Sequence, residues 1–202
     1  AYERARLDKP ADRAEWAMTP QTVNAYYNPV FNEVVFPAAI LQPPFFDPNA
    51  DAAFNYGAIG AVIGHEISHS FDNSGSQFDS KGRMRNWWTK EDFAHFEASG
   101  KALAKQFDGY HPFPDASVKG EQTLGENIAD VAGLSAAYDA YRASLGGQDD
   151  ESMPGRDYVR WDGIQIRPPQ ILIHGCKAGF FLHAGSVIFP VPASPFYRLG
   201  AG

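Results

Sequence analysis

Asn55-Tyr-Gly-Ala-Ile-Gly-Ala-Val-Ile-Gly-His65-Glu66-Ile-Ser-His69-Ser-Phe-Asp72 is the stretch on which the reading of the whole chain turns. It predicts one helix with two faces. Ile59, Ile63, Ile67 and Phe71 recur every fourth residue as an apolar stripe. Beside them, Ala58, Val62, His65, His69 and Asp72 follow steps of four, three, four and three, so both imidazoles point the same way, one turn apart. Two imidazoles so placed can share a metal ion. Glu66 lies about 100° round the helix from His65, within reach of a water held by the ion but poorly placed as a ligand. This is the His-Glu-x-x-His pattern of zinc hydrolases. The bland alternative is an ordinary surface on which these residues meet by chance. Against it stand Gly57, Ala58, Gly60, Ala61 and Gly64. Glycine costs a helix about 1 kcal/mol per position, so close backbone approach must be worth more.

Composition narrows the classes. The chain has 202 residues, 44% hydrophobic and 20% charged, which fits one globular core rather than disorder. A net charge of −7 argues against nucleic acid or an anionic membrane as partner. Cys176 is the single cysteine, so no internal disulfide forms and no redox compartment follows. The longest apolar run, near residues 180–189, contains His183 and is too short to span a bilayer, so no membrane segment is expected. The first ten residues are charged and lack a signal-peptide core, so the start reads as internal to a longer polypeptide.

Residues 1–20 are polar, with Trp16 and Met18 as their large anchors. Residues 23–27 and 33–36 are β-prone runs around Asn28-Pro-Val-Phe-Asn32 and predict an antiparallel hairpin, bracketed by Pro29 and Pro37 at an edge. Such an edge can accept an extended peptide; a purely structural hairpin fits the pattern equally well. Residues 37–48 are too rich in proline for regular structure and predict a pinned loop packing Ile40, Leu41, Phe45 and Phe46. Asn73-Ser-Gly-Ser ends the central helix, and Asp79-Ser-Lys-Gly82 predicts a tight turn before Trp87 and Trp88. Thr89 with Asp92 forms a variant capping box for a helix to about Asp108. His95 and His111 have no partner at ligand spacing and read as surface residues.

A second informative helix begins at Thr123-Leu-Gly-Glu126 and runs to Tyr141. Leu124, Ile128, Leu134, Tyr138 and Tyr141 can pack, while Glu126, Asp130, Gly133 and Ala137 share another face at four-three-four spacing. That face can lie against the glycine-rich histidine helix, bring Glu126 to the metal, and leave Asp130 to accept a hydrogen bond from a ligand histidine. Two histidines and one carboxylate leave a fourth position open, as in catalytic zinc sites. An exposed acidic pair is the alternative.

Val23-Asn-Ala-Tyr-Tyr-Asn-Pro, Val35-Phe-Pro-Ala-Ala-Ile-Leu-Gln-Pro-Pro-Phe-Phe, the histidine helix and Thr123-Leu-Gly-Glu-Asn-Ile-Ala-Asp together resemble the neprilysin family of zinc metallopeptidases over about residues 5–145. The resemblance implies an α+β, mainly helical fold: a thermolysin-like zinc peptidase catalytic lobe with a small edge sheet, holding one Zn2+ per chain. It implies that His65, His69 and Glu126 bind zinc, that Glu66 is the catalytic carboxylate, and that Asp130, together with Asp72, supports catalysis by orienting the ligand histidines. Asn24 and Ala25 would hold the substrate backbone. Ile40, Phe45 and Val62 would line the pocket for an apolar residue after the scissile bond of a peptide substrate. A periplasmic or extracellular location and an amino-terminal lobe missing from this span are further implications. Ser70 and Asn73 stand where the family usually has glycine and aspartate. A catalytically impaired zinc-binding fragment and a helical module without metal remain the rival readings.

The resemblance implies a division into a catalytic-lobe fragment, residues 1–161, and an aberrant tail, residues 162–202. In the tail, Arg167, His174, His183 and Arg198 lack the flanking residues of the family's histidine and arginine that stabilise the tetrahedral intermediate, so they are expected to have no catalytic role. One hypothesis is a frameshift. Residues 162–174, back-translated and shifted by one base, can be read as Thr-Gly-Phe-Arg-Ser-Asp-Arg-Arg-Arg-Phe-Leu-Phe-Met, which resembles the family's Gly-Phe-x-x-Asp-x-Arg-x-Phe-Leu run.

Overall fold

The structure, a computed structural model, describes Lys9 and residues 12–146. The tail and the expectations attached to it lie outside these residues. In chain order the described elements are strands β1 (Tyr26–Asn28) and β2 (Glu33–Val35), a 3-10 turn within the proline-rich loop (Ala38–Ile40), helix α1 (Ala52–Asn55), a π-helical turn (Tyr56–Gly60), helix α2 (Ala61–Ser68), two further 3-10 turns (His69–Phe71 and Gly75–Gln77), and helices α3 (Lys90–Asp108) and α4 (Leu124–Ser144). The fold is therefore mainly helical with one small sheet. β1 and β2 pair antiparallel with Tyr26 opposite Val35 and Asn28 opposite Glu33. Asn24 and Ala25 precede β1 rather than sitting within it.

The predicted single helix is realised as a continuous helical path of four segments. It starts earlier than its glycine-rich pattern suggests, because Asp51 caps α1 by accepting the Phe54 N–H at 2.8 Å. At its far end it tightens into a 3-10 turn, His69–Phe71, and Asp72 has already turned to extended backbone. The expected apolar stripe does not hold as one face. Ile59 is buried, but Ile63, Ile67 and Phe71 are 38%, 50% and 55% exposed. In a 3.6-residue helix an every-fourth series drifts by about 40° per step, so Ile59 and Phe71 point roughly 120° apart.

Two apolar clusters flank this path. Ala25, Ile40, Phe45, Ala58, Ile59 and Val62 form one, with Phe36, Phe46 and Phe54 packed against it. The proline-rich loop is indeed pinned there, through Ile40 and Phe45; Leu41 instead points to solvent, as does Trp16. The other cluster joins α3 to α4 through Leu103, Phe107 and Ile128. At the start of α3, Thr89 Oγ1 accepts the Asp92 N–H at 3.1 Å and donates to its carboxylate at 2.7 Å. The Asp79 turn also forms: Gly82 N–H donates to Asp79 O, and Arg83 and then other hydrogen bonds hold the Asp79 carboxyl well below its usual range. Trp87 and Trp88 stack and both donate an indole N–H to Ser76 O.

The contact that sets the architecture is between α2 and α4. A Cβ built on Gly64 would lie 2.4 Å from Gly133 O, and one built on Gly133 would lie 2.3 Å from His65 N. Only backbone stands in the way at both positions, so no rotamer change relieves the clash. Gly133→Ala should therefore destabilise the protein by about 3 kcal/mol, the upper end of ordinary overpacking. Gly57→Ala, with nothing within 4 Å of its new methyl, should be neutral or stabilising by up to about 1 kcal/mol. Urea unfolding of the two variants checks this; similar losses in both would mean that the close approach of the helices is not what Gly133 provides.

Candidate metal centre

Because α4 lies backbone to backbone on α2, one turn of α4 brings Glu126 and Asp130 to the histidines. Asp130 stands three residues before Gly133 and Glu126 one turn earlier. Asp130 Oδ1 accepts from His65 Nδ1 at 2.7 Å, and Asp72 Oδ2 accepts from His69 Nδ1 at 2.7 Å. With both Nδ1 atoms engaged, the Nε2 atoms face inward. Glu126 Oε2 lies 3.3 Å from His65 Nε2 and 3.6 Å from His69 Nε2. Ligands about 2.0–2.1 Å from a tetrahedral zinc stand roughly 3.3–3.4 Å from one another, so Glu126 Oε2 stands at close to ligand-to-ligand spacing from both imidazoles.

Glu66 offers a competing arrangement. Single ligand atoms of His65, Glu66 and His69 all lie within 4.8 Å of one another. Glu126 is the better third ligand, because its oxygen faces both Nε2 atoms at close range. Glu66, only 6% exposed, is left beside the histidines in the place expected for a base.

Electrostatics favours a cation here. Four carboxyl groups, Glu66, Asp72, Glu126 and Asp130, gather about the two imidazoles. Burial works against a charged His65 ring, but hydrogen bonds to Asp130 and Glu126, with the nearby charge of Glu66, outweigh it and push the ring up to about 10. The same field would hold a divalent ion. Burial likewise works to raise Asp72, yet the hydrogen bonds from His69 and from the Gly75 and Ser74 N–H groups prevail and keep its carboxyl below the usual range. Those two N–H groups reach Asp72 Oδ1 at 2.7 Å each.

Residue by residue, the structure brings together His65, Glu66, His69, Asp72, Glu126 and Asp130. Asp72 arrives by a different route from the one its helical spacing suggests: the chain leaves the helix at this residue, and the carboxylate folds back onto His69. The Asp-x-Ser-Gly signature of an Asx turn is the signal that sequence reasoning passed over. It also passed over Tyr27, whose phenol is pushed up by burial and further by the charge of Asp72. Ala25, Ile40, Phe45 and Val62 lie together in one buried cluster. Asn24, beside them in the chain, accepts the Ala25 N–H on its own side-chain oxygen at 2.9 Å. His95 and His111 are exposed.

The family model described as peptidase family M13 matches residues 24–164. Neprilysin-3 of Drosophila melanogaster is 46% identical over 166 residues, covering 82% of this chain and 20% of that protein. The neutral endopeptidase of Lactobacillus helveticus is 50% identical over 139 residues, covering 69% of this chain and 21% of its own. Among solved structures, the zinc metalloprotease Zmp1 of Mycobacterium tuberculosis in complex with an inhibitor superposes with a TM-score of 0.73 at 53% identity, over 78% of this chain and 25% of that one. PepO of Lactobacillus rhamnosis gives 0.62 at 35% identity, over 84% of this chain and 28% of that one. The chain thus spans about a fifth to a quarter of the length of these relatives. With the matched span running through both motif helices, the chain belongs to peptidase family M13, the neprilysin family of zinc peptidases.

Proposed function

We propose that this chain forms the metal-binding catalytic portion of a zinc metalloendopeptidase that hydrolyses peptide bonds in oligopeptides. The observation that carries the reading is that Glu126 Oε2 lies within 3.6 Å of both His65 Nε2 and His69 Nε2, with both Nδ1 atoms held by carboxylates. These three residues hold one zinc ion per chain. Zinc bound there would polarise the scissile carbonyl and make an attacking water more acidic. The lobe is then of the thermolysin type, with its ligands on two packed helices.

The chain's own residues supply the rest. Glu66, buried next to His65, takes the proton from the attacking water and returns it to the leaving nitrogen. Asp130 and Asp72 fix the tautomer and orientation of the two imidazoles. The substrate is a peptide in extended form. Among the described residues β1 pairs only with β2, and Asn24 and Ala25 lead into β1 where a peptide backbone can be met edge-on. Preference for an apolar residue after the scissile bond is supported by the cluster of Ile40, Phe45 and Val62, of which Val62 lies one turn before His65 on the same helix. A peptide series varied at that residue tests the preference; equal cleavage of charged and apolar members would remove it.

A second reading, in which the chain holds zinc but turns over peptides slowly, is favoured by one fact: the matched span is 20% of the length of Neprilysin-3. One pair of measurements addresses both readings. Glu66→Gln should keep the zinc content of the parent chain and lower peptide cleavage by about 10²–10⁴-fold. Clear parent cleavage that this change leaves unaffected would put the base elsewhere, whereas a parent that binds zinc and cleaves no faster than the background without protein would establish the second reading.

The positions of the supporting carboxylates yield another expectation. Asp130→Asn should weaken zinc binding by about 10–100-fold without unfolding the chain, read by competition with a chelating dye. His69→Ala and Glu126→Gln should release the ion altogether. Full zinc retention by both would show that the ligand set is different.

A further inference from the structure

We propose that Gly125 is a positioning residue for the metal centre, because its missing side chain makes the space in which the Asp72 carboxylate holds His69. The inference rests on the reading of His65, His69 and Glu126 as metal ligands. A Cβ built on Gly125 would lie 3.2 Å from Asp72 Oδ2 and 3.6 Å from Asp72 Cγ, and 3.0 Å from Asn73 Oδ1. The first turn of α4 is thus pressed against the end of the histidine helix as well as against its middle.

Which neighbour yields decides the outcome. Asn73 is exposed, and its side chain can swing into solvent. Asp72 cannot move so freely: it is buried, with Oδ1 accepting from the Ser74 and Gly75 N–H groups and Oδ2 accepting from His69 Nδ1, each at 2.7 Å. The oxygen that a methyl on Gly125 would displace is the one that orients the His69 ring. A shift of a few tenths of an ångström there turns His69 Nε2 away from Glu126 Oε2, 3.6 Å distant. Gly125 also immediately precedes Glu126, so any relief by movement of the helix start displaces a second ligand. Helix propensity runs the other way, since alanine is favoured over glycine in a helix.

The test is zinc affinity in the full chain, measured by competition with a chelating dye for the parent, Gly125→Ala, Asp72→Ala and the double variant. Gly125→Ala should lose about 10–100-fold, as changes behind a metal ligand typically do, with its melting temperature without zinc unchanged or raised. Its cobalt(II) absorption spectrum should depart from the parent's, which a change in fold stability alone would not produce. Asp72→Ala should already have lost the same contribution, so adding Gly125→Ala to it should cost little more. Gly57→Ala serves as the control and should bind like the parent. Parent-like affinity and spectrum in Gly125→Ala would overturn the inference while leaving the metal reading intact. Full additivity with Asp72→Ala, or recovery on adding Asn73→Ala, would overturn the route through Asp72. A parent chain that binds no zinc would overturn the metal reading and this inference with it.

Discussion

Everything at the centre depends on how closely α2 and α4 approach. Helices with ordinary side chains at their contact keep their axes about 8–10 Å apart. Glycine at both Gly64 and Gly133 removes that spacer, leaving the backbone of one helix against the backbone of the other. A glutamate side chain has limited reach. With the helices held apart by even one methyl group, Glu126 could not set its oxygen against both imidazoles, nor Asp130 its own at 2.7 Å from His65. The cost in helix propensity is therefore met by packing and by the geometry of the centre together.

That geometry is poorly suited to stability by itself. Four carboxylates around two imidazoles repel one another, and partial burial strengthens the repulsion. The protein's remedies are local. Asp72 takes two backbone N–H groups as well as His69, and Asp130 shares the proton on His65. What these pairs do not balance is left for a cation, which is why the site reads as a place of stored electrostatic cost rather than as a salt-bridge network that stabilises the fold.

Much of this was legible in the residues. The three-four spacing of Val62, His65 and His69 on one helix, and the four-three spacing of Glu126, Asp130 and Gly133 on the other, follow from a period that any α-helix imposes, and the interlocking of the two glycine-bearing faces followed from it. The Thr89 cap and the antiparallel hairpin are short-range and were readable for the same reason, although the first strand begins later, at Tyr26, and takes in Asn28. Three features were not. The π-helical turn at Tyr56–Gly60 has no spacing signature, and the exit of Asp72 from the helix is set by an Asx turn that mimics helical spacing. The outward aim of Ile63, Ile67 and Phe71 shows that an every-fourth series is not a face over more than two turns, because drift accumulates. The burial of Ile40 and Phe45 in one cluster with Val62 is tertiary, and the likeness to a known family, rather than the local pattern, pointed to it.

The two helices also meet at opposite ends, and this orientation has an electrostatic consequence. His65 lies in the last turn of α2 and His69 at its C-cap, where the partial negative charge of the helix terminus favours a cation. Glu126 lies in the first turn of α4, where the partial positive charge favours a carboxylate. Each contribution is about 0.3–1 kcal/mol at most exposed sites, small beside a metal–ligand bond but equal in sign. Reversing the direction of either helix would keep every ligand type and lose this agreement. The polarity of the backbone thus adds to the same charge separation that the side chains create: a cation over the end of α2, held by an anion rooted in the start of α4.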